Sequence, residues 1–127
     1  MYSAQVLDHF QNPRNAGELP DADITVQLEN PACGDILKLA LKVSDGVITA
    51  ARFKAKGCVP AMACASLLTQ MLVGRRFEQV RQLQREQLVK AIGGLPKESV
   101  HASHLAMDVL NAALKELSGP LEGRAGL

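Results

Sequence analysis

Leu37-Lys38-Leu39-Ala40-Leu41-Lys42-Val43, followed by Ser44-Asp45-Gly46 and then by Val47 to Lys56, is the stretch that decides the fold. Leu37, Leu39, Leu41 and Val43 alternate with Lys38, Ala40 and Lys42, the period of a strand with one buried face. Ser44-Asp45-Gly46 is a turn signal, because Asp and Gly tolerate the backbone that a tight hairpin needs. Alternation then resumes, with Arg52, Lys54 and Lys56 facing out. Upstream, Ile24, Val26 and Leu28 alternate with Thr25, Gln27 and Glu29. Three strands in an antiparallel meander are predicted, one face wet and the other covered by helices.

Helical periods flank this sheet. Ser3 to Gln11 places Val6, Leu7 and Phe10 at helical spacing, with Ser3 as N-cap, and Asn12-Pro13-Arg14-Asn15 with Gly17 stops it. Ala61 to Val73 is apolar on nearly all sides and ends at Gly74, which predicts a helix buried in the core. Phe77 to Ile92 is more weakly amphipathic and reads as two short helices before Gly93-Gly94. From Leu95-Pro96 onward, Val100, His101, His104, Leu105, Val109, Ala112 and Ala113 recur at spacings of three and four. The expected class is α+β: a three-stranded antiparallel sheet covered on one face by helices, an N-terminal helix and a C-terminal helical half. Residues 1–127 form a single domain, with 119–127 expected as a loose tail.

Composition excludes several function classes. Fourteen Lys and Arg balance thirteen Asp and Glu, for a formal charge of +1, and no basic stripe suits a nucleic acid. With one Tyr, three Phe and no Trp, base-stacking platforms are also poorly supplied. The longest apolar run, Val59 to Val73, is interrupted by Cys64, Ser66, Thr69 and Gln70, so no membrane span is expected. The N-terminus shows no apolar core of a secretory signal. Three cysteines without an export signal point to a reducing, cytoplasmic setting. There cysteines are more often ligands, nucleophiles or core residues than disulfide partners.

Three loci can carry chemistry. In Asn30-Pro31-Ala32-Cys33-Gly34-Asp35 a thiol and a carboxylate at i and i+2 can face one ion; alternatively Asp35 caps its own turn and Cys33 is incidental. Cys58 follows Gly57 just before the buried helix, where the helix dipole favours a thiolate; alternatively it is a small residue filling a corner. The meander returns the third strand to the end where the first hairpin loop lies, so the loci of Cys33 and Cys58 can meet. His101 and His104 near the start of the last helix could add an imidazole, giving a set suited to zinc or iron. His104 reads first as a packed helical residue and second as an alternative ligand. Cys64, six residues past Cys58, reads first as an inert core cysteine.

Pro31-Ala32-Cys33-Gly34-Asp35 and Phe53-Lys54-Ala55-Lys56-Gly57-Cys58, with Tyr2-Ser3, Asp8-His9-Phe10 and Asn12-Pro13-Arg14-Asn15, resemble the U-type iron–sulfur cluster assembly scaffolds (IscU, SufU and the NifU N-terminal domain). The resemblance runs in register from Tyr2 to about Leu117. It implies a metal site of Cys33, Asp35, Cys58 and His101. The family's third cysteine falls at Ala102, which has no donor atom. Either the four remaining residues complete the set, or Cys64 replaces the lost thiol.

The resemblance further implies a non-enzymatic carrier of a transient [2Fe–2S] cluster, with zinc expected in the isolated protein. Implied partners are a cysteine desulfurase, which donates sulfur, and apo iron–sulfur acceptor proteins; no nucleic acid or membrane is among them. The family's Hsp70 chaperone motif is reduced here to Leu95-Pro96, followed by Lys97-Glu98-Ser99, which argues against that partner. The alternative is a zinc-stabilised interaction or regulatory module of the same fold that has lost sulfur acceptance along with the third cysteine. A hydrolytic zinc enzyme would need an open coordination position and a general base, and the sequence offers no distinct pair for that work.

Overall fold

The computed structural model describes residues 1–32 and 34–125, with side chains described as far as Leu117. Helix α1 (Ala4–Gln11) starts where the sequence predicts: Ser3 Oγ accepts the N–H of Val6 at 3.0 Å and donates to the carbonyl of Ile92. Its inward residues are Val6 and His9, while Leu7 and Phe10 are partly exposed. A polar partner explains the exchange, because His9 Nδ1 meets the buried Ser66 hydroxyl at 2.8 Å. That hydroxyl also accepts the backbone N–H of Arg14 at 2.8 Å, and the Arg14 guanidinium pairs with Asp8 at 2.7 Å. The Asp8-His9 and Asn12-Pro13-Arg14-Asn15 segments are therefore a structural clip.

Strands β1 (Ile24–Glu29), β2 (Ile36–Ser44) and β3 (Val47–Lys56) form one antiparallel sheet in the order β1-β2-β3. Asp45 and Gly46 make the two-residue hairpin with φ of 52° and 77°, the double left-handed conformation their residue types predict. Val26 pairs with Leu39, and Leu39 with Phe53, all three buried on the covered face. On the open face Lys38 and Lys54 both reach Glu18, at 3.3 and 3.0 Å.

Helix α2 (Val59–Leu72) contains no charged residue, and ten of its fourteen residues are buried. Fully burying a side chain such as Leu68 or Leu72 contributes about 1.5–3 kcal/mol, and truncating Leu68 to Ala would cost about 2–5 kcal/mol. Its interior hydroxyls are satisfied, Ser66 by the α1 clip and Thr69 by the carbonyl of its own Ser66. Gly74, at φ 86°, ends the segment. The two short helices follow as α3 (Phe77–Arg81) and α4 (Arg85–Ala91), then a 3₁₀ turn (Lys97–Ser99) and α5 (Val100–Ala125). Helix α2 packs on α1 and on β3, and α5 on β1, α2 and β2, so one layer of helices covers one face of the sheet. The helix α5 extends to Ala125, past the point where the sequence predicts a loose tail; the side chains from 118 onward lie outside the described set. No helix among the described residues is long and apolar enough to cross a membrane.

Candidate metal centre

The β1–β2 connection is built on Asn30. Its Oδ1 accepts the N–H of Ala32 at 3.0 Å, its carbonyl accepts the N–H of Gly34 at 2.7 Å, and its own N–H donates to the Asp35 carbonyl at 2.8 Å. The turn is thus capped by Asn30, and the Asp35 side chain is committed elsewhere. Asp35 is 4% exposed and points at the corner where β3 gives way to α2. There its Oδ1 accepts the backbone N–H of Cys58 and its Oδ2 accepts the Cys58 thiol proton, both at 3.2 Å.

Gly57 makes this approach possible. A Cβ at that position would stand 2.1 Å from Asp35 Oδ1 and 2.6 Å from its Cγ, and φ is 149°, a value L side chains rarely adopt. Cys58 is the N-cap of α2, and Pro60 in the first turn supplies no N–H. The N–H of Cys58 itself is the donor that holds Asp35. His101 arrives from the start of α5, with Nε2 3.5 Å from Asp35 Oδ2 and 3.8 Å from Cys58 Sγ.

The ligand atoms of Asp35, Cys58 and His101 lie within 4.8 Å of one another. Bonds of about 2.0–2.3 Å in a tetrahedral site separate neighbouring ligand atoms by about 3.3–3.8 Å. The observed separations of 3.2, 3.5 and 3.8 Å match that geometry closely. One oxygen, one nitrogen and one sulfur form a donor set for zinc or iron and a poor one for magnesium or calcium, which take oxygen. Binding would displace the proton now shared between Cys58 and Asp35, so uptake would release protons.

Of the other residues singled out from sequence, Cys33 lies outside the described residues. Cys64 is fully buried within α2, and its thiol is pushed up to about 12 by burial first and by the nearby Cys58 second. A thiolate is the form that ligates metal or attacks sulfur, and this environment suppresses it. His104 is exposed, one turn past His101, and lines with it a cleft of about 260 Å³ that also includes Glu29, Asn30, Pro31 and Asp108. It is not among the atoms that converge. Ala102 is buried, and its methyl group offers no donor. Sequence reading missed the roles of Asn30 and Gly57. The signals were present, an Asn before Pro at a strand end and a glycine closing a strand directly before a cysteine.

Comparison with known proteins bears on this site. The profile of the NifU-like N terminal domain family matches residues 1–120. The iron-sulfur cluster assembly scaffold protein IscU 1 of Archaeoglobus fulgidus is 43% identical over 114 residues, covering 90% of this chain and 74% of that protein. The scaffold protein IscU of Escherichia coli K12 is 36% identical over 127 residues, covering 97% of this chain and 98% of that protein. Among solved structures, a candidate scaffold protein for the SUF system from Fervidobacterium islandicum superposes with a TM-score of 0.74 at 16% identity, over 90% of this chain and 96% of that one. The N-terminal part of a NifU-like protein from Brucella abortus superposes with a TM-score of 0.62 at 20% identity, over 89% and 80%. At such identities the superpositions speak for the fold alone. On the family match over nearly its whole length and on relatives at 36% and 43% identity, the chain belongs to the U-type scaffold family of NifU-like N-terminal domains.

Proposed function

We propose that this chain is a scaffold on which a labile [2Fe–2S] cluster is assembled and from which it passes to an apo acceptor protein. One observation carries the reading: in a member of this family, the Asp35 carboxylate, the Cys58 thiol and the His101 imidazole converge within 4.8 Å at one end of the sheet. Cys33, two residues before Asp35, is the fourth ligand in this reading. The mixed donor set accounts for lability. A hard carboxylate is a poor match for an iron–sulfur centre, and a site at the junction of loop, strand end and helix end exchanges ligands more readily than a closed Cys₄ cage.

Sulfur would come from a cysteine desulfurase. The Cys58 thiolate attacks the outer sulfur of the donor's persulfide, an S–S bond forms at Cys58 to make the new persulfide, the donor's S–S bond breaks, and the donor cysteine departs as thiolate. Asp35, which holds both the N–H and the thiol proton of Cys58, fixes the nucleophile and accepts its proton. The chain is consumed and regenerated as a carrier and turns over no substrate as an enzyme. Three cysteines in a chain of this family suit a reducing compartment, and we place the protein in the cytoplasm.

Ala102 supports a second reading. Without a third thiol, the same ligands could hold zinc permanently, and the chain would act as an interaction module for a desulfurase or acceptor. Anaerobic reconstitution with iron, cysteine and a cysteine desulfurase decides between them. A [2Fe–2S] spectrum, by absorption and Mössbauer, that transfers to an apo-ferredoxin is the expected result. Tightly held zinc with no cluster formation would establish the module instead.

A further inference from the structure

The two edges of the sheet are treated differently. On the outer edge of β3, Phe53 exchanges hydrogen bonds with Asn15 and Gly17, and Ile48 with Gly74 and Arg75, so loops cap that side. On β1, Asn30 bonds inward to Asp35 in the register that pairs Leu28 with Leu37 and Val26 with Leu39. Alternation along an antiparallel strand then turns the N–H and C=O groups of Thr25, Gln27 and Glu29 outward. Among the described residues nothing hydrogen-bonds to those groups, and all three residues are exposed. Natural edge strands are usually blunted by lysine, proline or a bulge. Ile24-Thr25-Val26-Gln27-Leu28-Glu29 contains no lysine and no proline, and the one register shift in the sheet lies between β2 and β3, at Lys42 and Val43.

We infer that β1 is a self-association edge, pairing antiparallel with β1 of a second copy about a two-fold axis through Gln27. The strand is self-complementary in that register. Gln27 faces Gln27 of the partner subunit, Thr25 faces Glu29 of the partner subunit, and no like charges oppose one another. On the covered face Val26 falls opposite Leu28 of the partner subunit, so apolar side chains meet apolar ones. A register centred on Val26 instead would leave Glu29 facing Asp23 of the partner subunit, and one centred on Leu28 would set Thr25 against Pro31 of the partner subunit, which has no N–H to donate, so the register centred on Gln27 is favoured over both. The product is a continuous six-stranded sheet with both outer edges capped by the loops at Phe53 and Ile48.

The test exploits a residue whose N–H serves no contact within the chain. Gln27→Pro removes an outward donor and leaves the donors of Val26 and Leu28, which carry the ladder to β2, in place. Sedimentation equilibrium from micromolar to millimolar concentration should take the wild-type chain from 13.6 kDa towards twice that mass, with the amides of Thr25, Gln27 and Glu29 gaining exchange protection in step. Gln27→Pro should stay at the monomer mass. Gln27→Lys and Gln27→Glu should each be monomeric alone and should dimerise when mixed, because each opposes its own charge across the axis and complements the other. Circular dichroism and melting of each variant separate lost pairing from lost fold, and the charge pair keeps the test open if the proline variant fails to fold. A wild-type chain that stays monomeric throughout would overturn the inference. So would a dimer that survives the lysine substitution, or amide protection at β1 that appears only on adding a different protein.

Discussion

Adding one methyl group at Gly57 should disarm the proposed metal centre while leaving every proposed ligand in the sequence. The alanine Cβ would lie 2.1 Å from Asp35 Oδ1, 2.6 Å from Cγ and 3.0 Å from Cβ, so the carboxylate must leave its place. Asp35 is almost fully buried, and leaving breaks its bonds to the Cys58 N–H and thiol. A buried group stripped of its partners costs about 1–3 kcal/mol, and an L residue held at this φ costs about 1–3 kcal/mol more. The sum, about 2–6 kcal/mol, corresponds in a chain of this size to a fall in melting temperature of roughly 8–24 °C. Affinity for zinc or cobalt should fall with it, because one oxygen ligand is withdrawn. A double-mutant cycle isolates the cause. In Asp35→Ala the two closest atoms, Oδ1 and Cγ, are gone and only Cβ at 3.0 Å remains, so adding Gly57→Ala should then cost little more than the backbone term. Calorimetry gives the stabilities and cobalt absorption the coordination. The reasoning fails if Gly57→Ala melts and binds metal like the wild type, or if the two penalties simply add.

Cys64→Ala should leave cluster reconstitution unchanged, and iodoacetamide should spare Cys64 in the native protein, since burial holds its thiol at about 12. Loss of the cluster in that variant would make Cys64 the substitute ligand. Ala102→Cys should lengthen the lifetime of a reconstituted cluster by adding a thiol beside His101; unchanged decay would show that the new sulfur does not reach the site. Burial first, and the charge of Arg14 second, hold His9 below its usual value of 6.5, so the fold favours its neutral form. That stability is fully present above the usual value and is lost as pH falls through the lowered one. Urea midpoints should therefore drop as pH falls below 6.5, with a smaller drop in His9→Asn, and equal drops would remove His9 from the account.

The sequence by itself determined the element order and the two-sided sheet. Alternation from Leu37 to Lys56 shows which side chains face water, and Asp45-Gly46 names a hairpin whose φ values only such residues take freely. It also determined that α2 is buried, because fourteen residues without a charge leave that helix no wet face. These are local statements, set by backbone sterics and by the period of side chains along one element. The site was legible only as a set of candidates. That Asp35 and Cys58 could share an end follows from the meander, but their 3.2 Å contact depends on a missing Cβ at Gly57, and nothing in a spacing reports it. Tertiary packing likewise chose between His101 and His104, one turn apart, by the azimuth at which α5 meets the sheet, and it consigned Cys64 to the core. It turned His9 inward and left Leu7 and Phe10 partly exposed, against simple hydropathy, because a buried hydroxyl from a helix 57 residues away satisfies the imidazole. Burial and partner geometry are properties of pairs of elements, and pairs distant in sequence leave no periodic trace in either member.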